Sequence, residues 1–135
     1  MRHFSVEEAR EALPEVKRRA ERMVKTRAEL LAAQPFRERL EKHGRTNGSA
    51  PAHDDSDGDP ERPAGLRRQL MSEIEALEQL GVLVKDVDPG LVDFPCLHPD
   101  TSETVLLCWQ VGEDTLAFWH GFHEGFAGRK PLPFT

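Results

Sequence analysis

The 135-residue chain divides by the period of its apolar positions. Near the N-terminus, Ala9, Leu13, Val16, Ala20, Met23, Arg27 and Leu30 recur at alternating steps of four and three, a narrow helical seam suited to coiled-coil-like contact with another helix. Ser5-Val6-Glu7-Glu8 supplies a capping box at its start, with Phe4 placed as a hydrophobic staple. Pro14 interrupts the pattern, because a mid-helix proline loses one hydrogen bond and clashes with the preceding turn. The expectation is a short helix to Leu13 and a new one carrying Pro14 in its first turn, continuing towards Lys42 with a kink at Pro35. A second helical face, Leu66, Leu70, Ile74 and Leu77, predicts a helix over 63–80 that stops at Gly81. Being shorter than the first helix, it leaves part of the first seam uncovered in a hairpin. Self-association through the helices is expected to cover it.

After Gly81 the period becomes extended. Val82–Lys85 reads as a strand and Asp88-Pro89-Gly90 as a turn, followed by a strand Leu91–Phe94 stopped by Pro95. Thr104–Val111 is the strongest strand signal. Gly112-Glu113-Asp114 turns the chain, and Thr115–His120 returns as its hairpin partner. The expectation is one α+β domain over 1–135: a long coiled-coil-like helical hairpin (5–42 and 63–80), a flexible acidic loop (44–62), a small antiparallel sheet (82–120) and an irregular tail (121–135). The loop has alanine as its one nonpolar side-chain type and cannot offset its ordering entropy. Its Asp54–Asp59 run resembles a calcium loop, but Pro60 falls where such a loop needs glycine and Leu66 where it needs glutamate.

Composition narrows the picture. The net charge is −6 and the apolar fraction 38%. A slightly basic first helix offsets acidic loop and sheet regions, and the run Lys17–Arg27 reads as a solvated face or a partner for Glu73, Glu75 and Glu78. That run winds around the helix, and the pI of about 5.5 disfavours nucleic acid as a partner. No apolar run has the length of a membrane helix, the N-terminus lacks a secretory pattern, and two cysteines are too few for a disulfide framework. A cytoplasmic location with reduced thiols is expected.

The chemistry-bearing residues collect near the C-terminus. A four-ligand zinc set of Cys96, His98, Cys108 and His120 is conceivable, although its spacing matches no zinc-finger pattern. A carboxylate–imidazole group is sharper. Asp93 is a charge inside an apolar strand, Glu113 lies in the hairpin turn, and His120 ends the return strand. These three are the candidate catalytic residues, with Asp93 orienting His120 for proton transfer. Arg129 is the candidate anion holder, and Trp109 and Trp119 are candidate apolar walls of a ligand pocket. His120, Cys108 and Glu113 are the candidate ligands of a divalent metal such as zinc. The plainer alternative is an internal ion pair that pins the tail to the sheet. P-loop, dinucleotide, nucleophile-elbow and His-Glu-x-x-His motifs are absent from the sequence.

The same residues carry a family likeness. Phe4–Ala9 with Leu13-Pro14, Gly81–Asp86, Gly90–Pro95, Leu107-Cys108-Trp109, Gly112-Glu113, Trp119-His120 and Gly125–Arg129 resemble the bacterial domain-of-unknown-function family 2203. The resemblance implies that Asp93, Cys108, Trp109, Glu113, Trp119, His120 and Arg129 belong to the family pattern, while His98 and His123 fall outside it. It implies no activity. The leading expectation is a non-catalytic homodimeric interaction or scaffold module. The alternative is a small ligand- or metal-binding protein, or an enzyme, with its site on the C-terminal sheet.

Overall fold

A computed structural model describes residues 1–33 and 61–134. The element order is α1 (Val6–Ala33), α2 (Glu61–Gln79), β1 (Leu83–Asp86), β2 (Leu91–Leu97), β3 (Thr104–Gln110), β4 (Phe118–Gly121), a 3-10 turn (Phe126–Gly128) and β5 (Lys130–Pro131). This is the expected α+β architecture. The proposed course of the first helix beyond Ala33, the acidic loop up to residue 60 and the calcium-like run lie outside the described residues.

The capping box forms. The Glu8 N–H donates to Ser5 Oγ at 3.0 Å, and Glu8 Oε1 accepts the Ser5 N–H at 2.9 Å. Phe4 is buried at the same end, where its N–H donates to the Pro95 carbonyl and its ring meets Phe94 edge-on. Contrary to the expected break, α1 runs unbroken through Pro14. Pro14 is exposed. The carbonyl one turn earlier, which proline leaves without a donor, can therefore be met by water.

The buried seam of α1 is Ala9, Leu13, Val16, Ala20, Met23, Thr26 and Leu30, so Thr26 takes the place expected for Arg27. Arg27 keeps the strict alternation and Thr26 breaks it with two successive steps of three, but side-chain chemistry overrides the spacing. The Thr26 hydroxyl can be satisfied inside the helix pair, where it donates to Glu73 Oε2 and accepts from Gln69. The Arg27 guanidinium reaches out to Asp88 at 3.0 Å. Glu73 is thus bound to neutral side chains of the interface. Within the basic run, Arg19 pairs with Glu15 and Arg27 with Asp88.

α2 begins at Glu61, two residues before the expected start, and ends where the Gly81 N–H donates to the Glu78 carbonyl. Gly81 has φ +101°, and a Cβ there would press on Arg2 and Phe4, so the stop needs glycine both for conformation and for space. α1 packs along α2 and onto β2. Within the described residues, the seam from Ala9 to Leu30 is buried by the rest of the same chain.

The sheet is an antiparallel meander in the order β1-β2-β3-β4-β5. It departs from expectation in three places. β2 does not stop at Pro95 but runs to Leu97. In an antiparallel strand the N and C=O of one residue point to the same edge, and the Pro95 carbonyl faces Phe4. The missing N–H therefore takes no hydrogen bond from the β2–β3 ladder. The return strand starts at Phe118, after a longer connection anchored by Arg10, whose guanidinium donates to the Leu116 carbonyl. The tail also supplies a fifth strand, with Lys130 opposite Trp119.

Register fixes the two faces. Val92 pairs with Trp109, and Phe94 with Leu107, which pairs with Trp119 on its other side. These residues, with Cys96 and Val105, form the helix-facing core. Asp93 pairs with Cys108, which pairs with Phe118, and Pro95 pairs with Leu106, which pairs with His120. These occupy the opposite face.

Candidate functional site

On that opposite face, three ionisable side chains are almost fully enclosed: Asp93 is 1% exposed, Cys108 0% and His120 3%. Asp93 and Cys108 are direct cross-strand partners on β2 and β3. His120 lies one strand further, two residues along, within reach on the diagonal. One ligand atom from each, an Asp93 carboxylate oxygen, Cys108 Sγ and a His120 ring nitrogen, lie within 4.8 Å of one another.

The imidazole is oriented from both ends. Nδ1 lies 2.9 Å from the Gly121 carbonyl, which can only accept, so Nδ1 carries the hydrogen. Nε2 lies 3.3 Å from Asp93 Oδ2. The second carboxylate oxygen, Asp93 Oδ1, is buried without a hydrogen-bond partner among the described residues. Burial pushes the Asp93 carboxyl above its ordinary value, against the opposing influence of His120, Cys108 and Lys85. Burial and the Asp93 charge push the Cys108 thiol up to about 12, with Arg129 opposing them.

Beside this cluster the tail is latched. Arg129 grips Glu113 bidentately, Nη1 to Oε2 and Nη2 to Oε1, both at 2.7 Å. Nη2 also donates to the Cys108 carbonyl at 3.1 Å. The guanidinium is stacked between the rings of Phe118 and Phe126, at 4.3 and 4.4 Å from their centroids. Glu113 is braced in turn by the Gln110 N–H at 2.8 Å. Although burial works against it, the hydrogen bonds from Arg129 and Gln110 hold the Glu113 carboxyl below its ordinary value. Glu124 organises the bend after His120, accepting from the Gly121 N–H and from Lys130.

Asp93, Cys108, His120, Glu113 and Arg129 thus converge on one side of the sheet. Glu113 is committed to Arg129, and the carboxylate that stands with Cys108 and His120 is Asp93. Trp109 and Trp119 lie on the opposite, helix-facing side, where Trp109 Nε1 donates to the Glu113 carbonyl. The four-residue set with Cys96 and His98 is divided by the sheet. Cys96 belongs to the apolar core. The His98 ring packs against Trp119 and Phe134, and its Nδ1 accepts the Asp100 N–H. The aromatic walls around Arg129 are Phe118 and Phe126. Their signal in the sequence was Arg129 three residues after Phe126.

The arrangement does not suit a thiol nucleophile. Activation would need the imidazole to accept from the thiol while its other nitrogen is held by the carboxylate. Here one nitrogen faces a backbone carbonyl and the other faces Asp93, and the thiol is raised rather than lowered.

The model of the family described as "Uncharacterized conserved protein (DUF2203)" matches residues 2–132. The chain belongs to this family. The match spans both helices, the site and the latch of this DUF2203 member. No curated protein and no solved structure matches it. Among the described residues, no helix is long and apolar enough to cross a membrane.

Proposed function

We propose that this DUF2203 protein binds a divalent metal cation on the tail-covered face of its sheet, between Asp93 and His120, and that this role is non-catalytic. The observation that carries the reading is the contact of His120 Nε2 with Asp93 Oδ2 at 3.3 Å. With the hydrogen on Nδ1, a neutral ring directs a lone pair from Nε2 at a carboxylate oxygen. Two acceptors face each other in a buried site, which is unfavourable unless a cation lies between them. A shared proton fills that position in the metal-free protein, and a divalent metal replaces it. The Nδ1 contact with Gly121 is the backbone support that metal-binding histidines generally have. The non-catalytic role is supported by burial, because no substrate reaches side chains that are 0–3% exposed.

The test is elemental analysis of untagged protein after equilibrium dialysis against magnesium, manganese, cobalt and zinc in turn. About one equivalent of some divalent metal is expected in wild type, and its loss in Asp93→Asn and His120→Gln. Wild type that holds less than about 0.1 equivalent of each would leave the shared proton as the whole explanation.

A further inference from the structure

We infer that the cation is a thiophilic transition metal of the zinc class, with Cys108 Sγ as a third ligand beside Asp93 and His120. This rests on the cation reading above and goes beyond it, because oxygen and nitrogen alone would not select a metal.

Three observations carry it. The β2–β3 register places Cys108 directly opposite Asp93, on the same face, so the sulfur is delivered to the site by the ladder itself. The sulfur, nitrogen and oxygen donors already lie within 4.8 Å of one another. A zinc ion with bonds of about 2.3 Å to sulfur and about 2.0 Å to nitrogen and oxygen would sit among them after small side-chain adjustments. The donor set is also wrong for a hard ion. Calcium takes at least six oxygens, and magnesium keeps an octahedral oxygen shell. Among the described residues, the cluster offers one carboxylate, one imidazole and one thiol. Sulfur and imidazole donors instead favour zinc and its transition-metal neighbours.

Charge balance agrees. Binding forms metal–sulfur, metal–nitrogen and metal–oxygen bonds and releases two protons to solvent, one from the thiol and one shared by Asp93 and His120. The divalent charge is then matched by one carboxylate and one thiolate. The adjoining Arg129 is already matched by Glu113. The loaded face therefore carries no net buried charge, which is the condition under which buried ions are tolerated.

Cobalt substitution tests the inference, since a cobalt–thiolate bond gives a near-ultraviolet charge-transfer band that oxygen and nitrogen ligands do not. The protein has a second buried thiol, Cys96, on the other face of the sheet, and it serves as the internal control. Wild type and Cys96→Ser are expected to show the band and lose it when zinc displaces cobalt. Cys108→Ser is expected to lack it and to bind zinc at least about tenfold more weakly. If circular dichroism shows Cys108→Ser unfolded, Cys96→Ser decides alone, because its band can come only from Cys108. Bound cobalt without the band, or a band unchanged in Cys108→Ser, overturns thiolate ligation and leaves the cation reading standing. No bound cation from the whole panel brings down both.

Discussion

The centres of the two faces of the sheet are equally enclosed but differ in chemistry. Towards the helices, Val92, Phe94, Leu107 and Trp109 form a continuous apolar layer, each with no exposed surface. Towards the tail, Asp93, Cys108 and His120 are equally enclosed, although ionisable groups are rarely hidden without partners. The first face draws its stability from area removed from water and from packing. The second is covered by a short segment whose hold depends on one arginine between two phenylalanines and one bidentate carboxylate. A fold assembled for stability alone has no use for a half-partnered carboxylate beneath such a cover. The difference between the faces is the strongest structural ground for placing function on the second.

Deleting the centre of the helix-facing layer should have the largest effect. Trp109→Ala is expected to lose about 3–5 kcal/mol, read from urea denaturation, as for other buried aromatic truncations. It should abolish metal binding only through unfolding. A folded Trp109→Ala protein of near wild-type stability would erase the distinction between the faces.

Breaking the latch comes next. Glu113→Gln removes the bidentate charge partner of Arg129 while keeping shape, at an expected cost of about 2 kcal/mol near neutral pH. The pH dependence separates this from a packing defect. Glu113 is held below its ordinary carboxyl value of 4.5 in the folded protein. Its contribution is therefore full above that value and is lost as pH falls through the lowered folded one. Wild type and Glu113→Gln should converge in stability on acidification from about pH 6 to pH 3. A gap that stays constant across this range would show that the ion pair is not what holds the tail.

Much of this layout could be read from the sequence. Asp93 is conspicuous as a charge amid Leu91, Val92 and Phe94, and the capping box at Ser5 forms as its spacing implies. Single-residue alternatives were harder. Spacing favours Arg27 in the seam, and only the facing Gln69 and Glu73 show why Thr26 takes the place. Pro95 reads as a stop unless the edge that its nitrogen faces is known. Trp109 follows Cys108 and Trp119 precedes His120, and neighbours on a strand face opposite ways, so those tryptophans could not line a site with that cysteine and histidine. The choice of Asp93 over Glu113 as the partner of Cys108 depends on cross-strand register, which no local pattern contains.

Asp93→Asn should act in the opposite sense to the first two changes. Because the Asp93 carboxyl is raised in the folded protein, its ionised form opposes folding above that raised value, and the penalty fades as pH falls towards the ordinary 3.8. The metal-free variant is therefore expected to be more stable than wild type by about 1 kcal/mol at neutral pH, with the gain shrinking on acidification. Metal binding should be lost at the same time. A variant destabilised at neutral pH would mean that Asp93 is an asset to the metal-free fold, and the functional argument from its burial would fall.

The finest comparison puts one substitution on both faces. Cys96→Ser introduces a hydroxyl into the apolar layer, where the one bond of the thiol it replaces is a long contact to the Leu97 carbonyl at 3.5 Å. An expected cost of about 1–2 kcal/mol follows from burying a poorly satisfied hydroxyl. Cys108→Ser places the same hydroxyl beside Asp93, whose Oδ1 is buried and lacks a donor. A new hydrogen bond there offsets the desolvation, so the metal-free protein should change by less than about 1 kcal/mol. Equal costs at the two positions would mean that Asp93 offers the new hydroxyl no bond on the tail-covered face. That result would remove the reason to expect a cation on it.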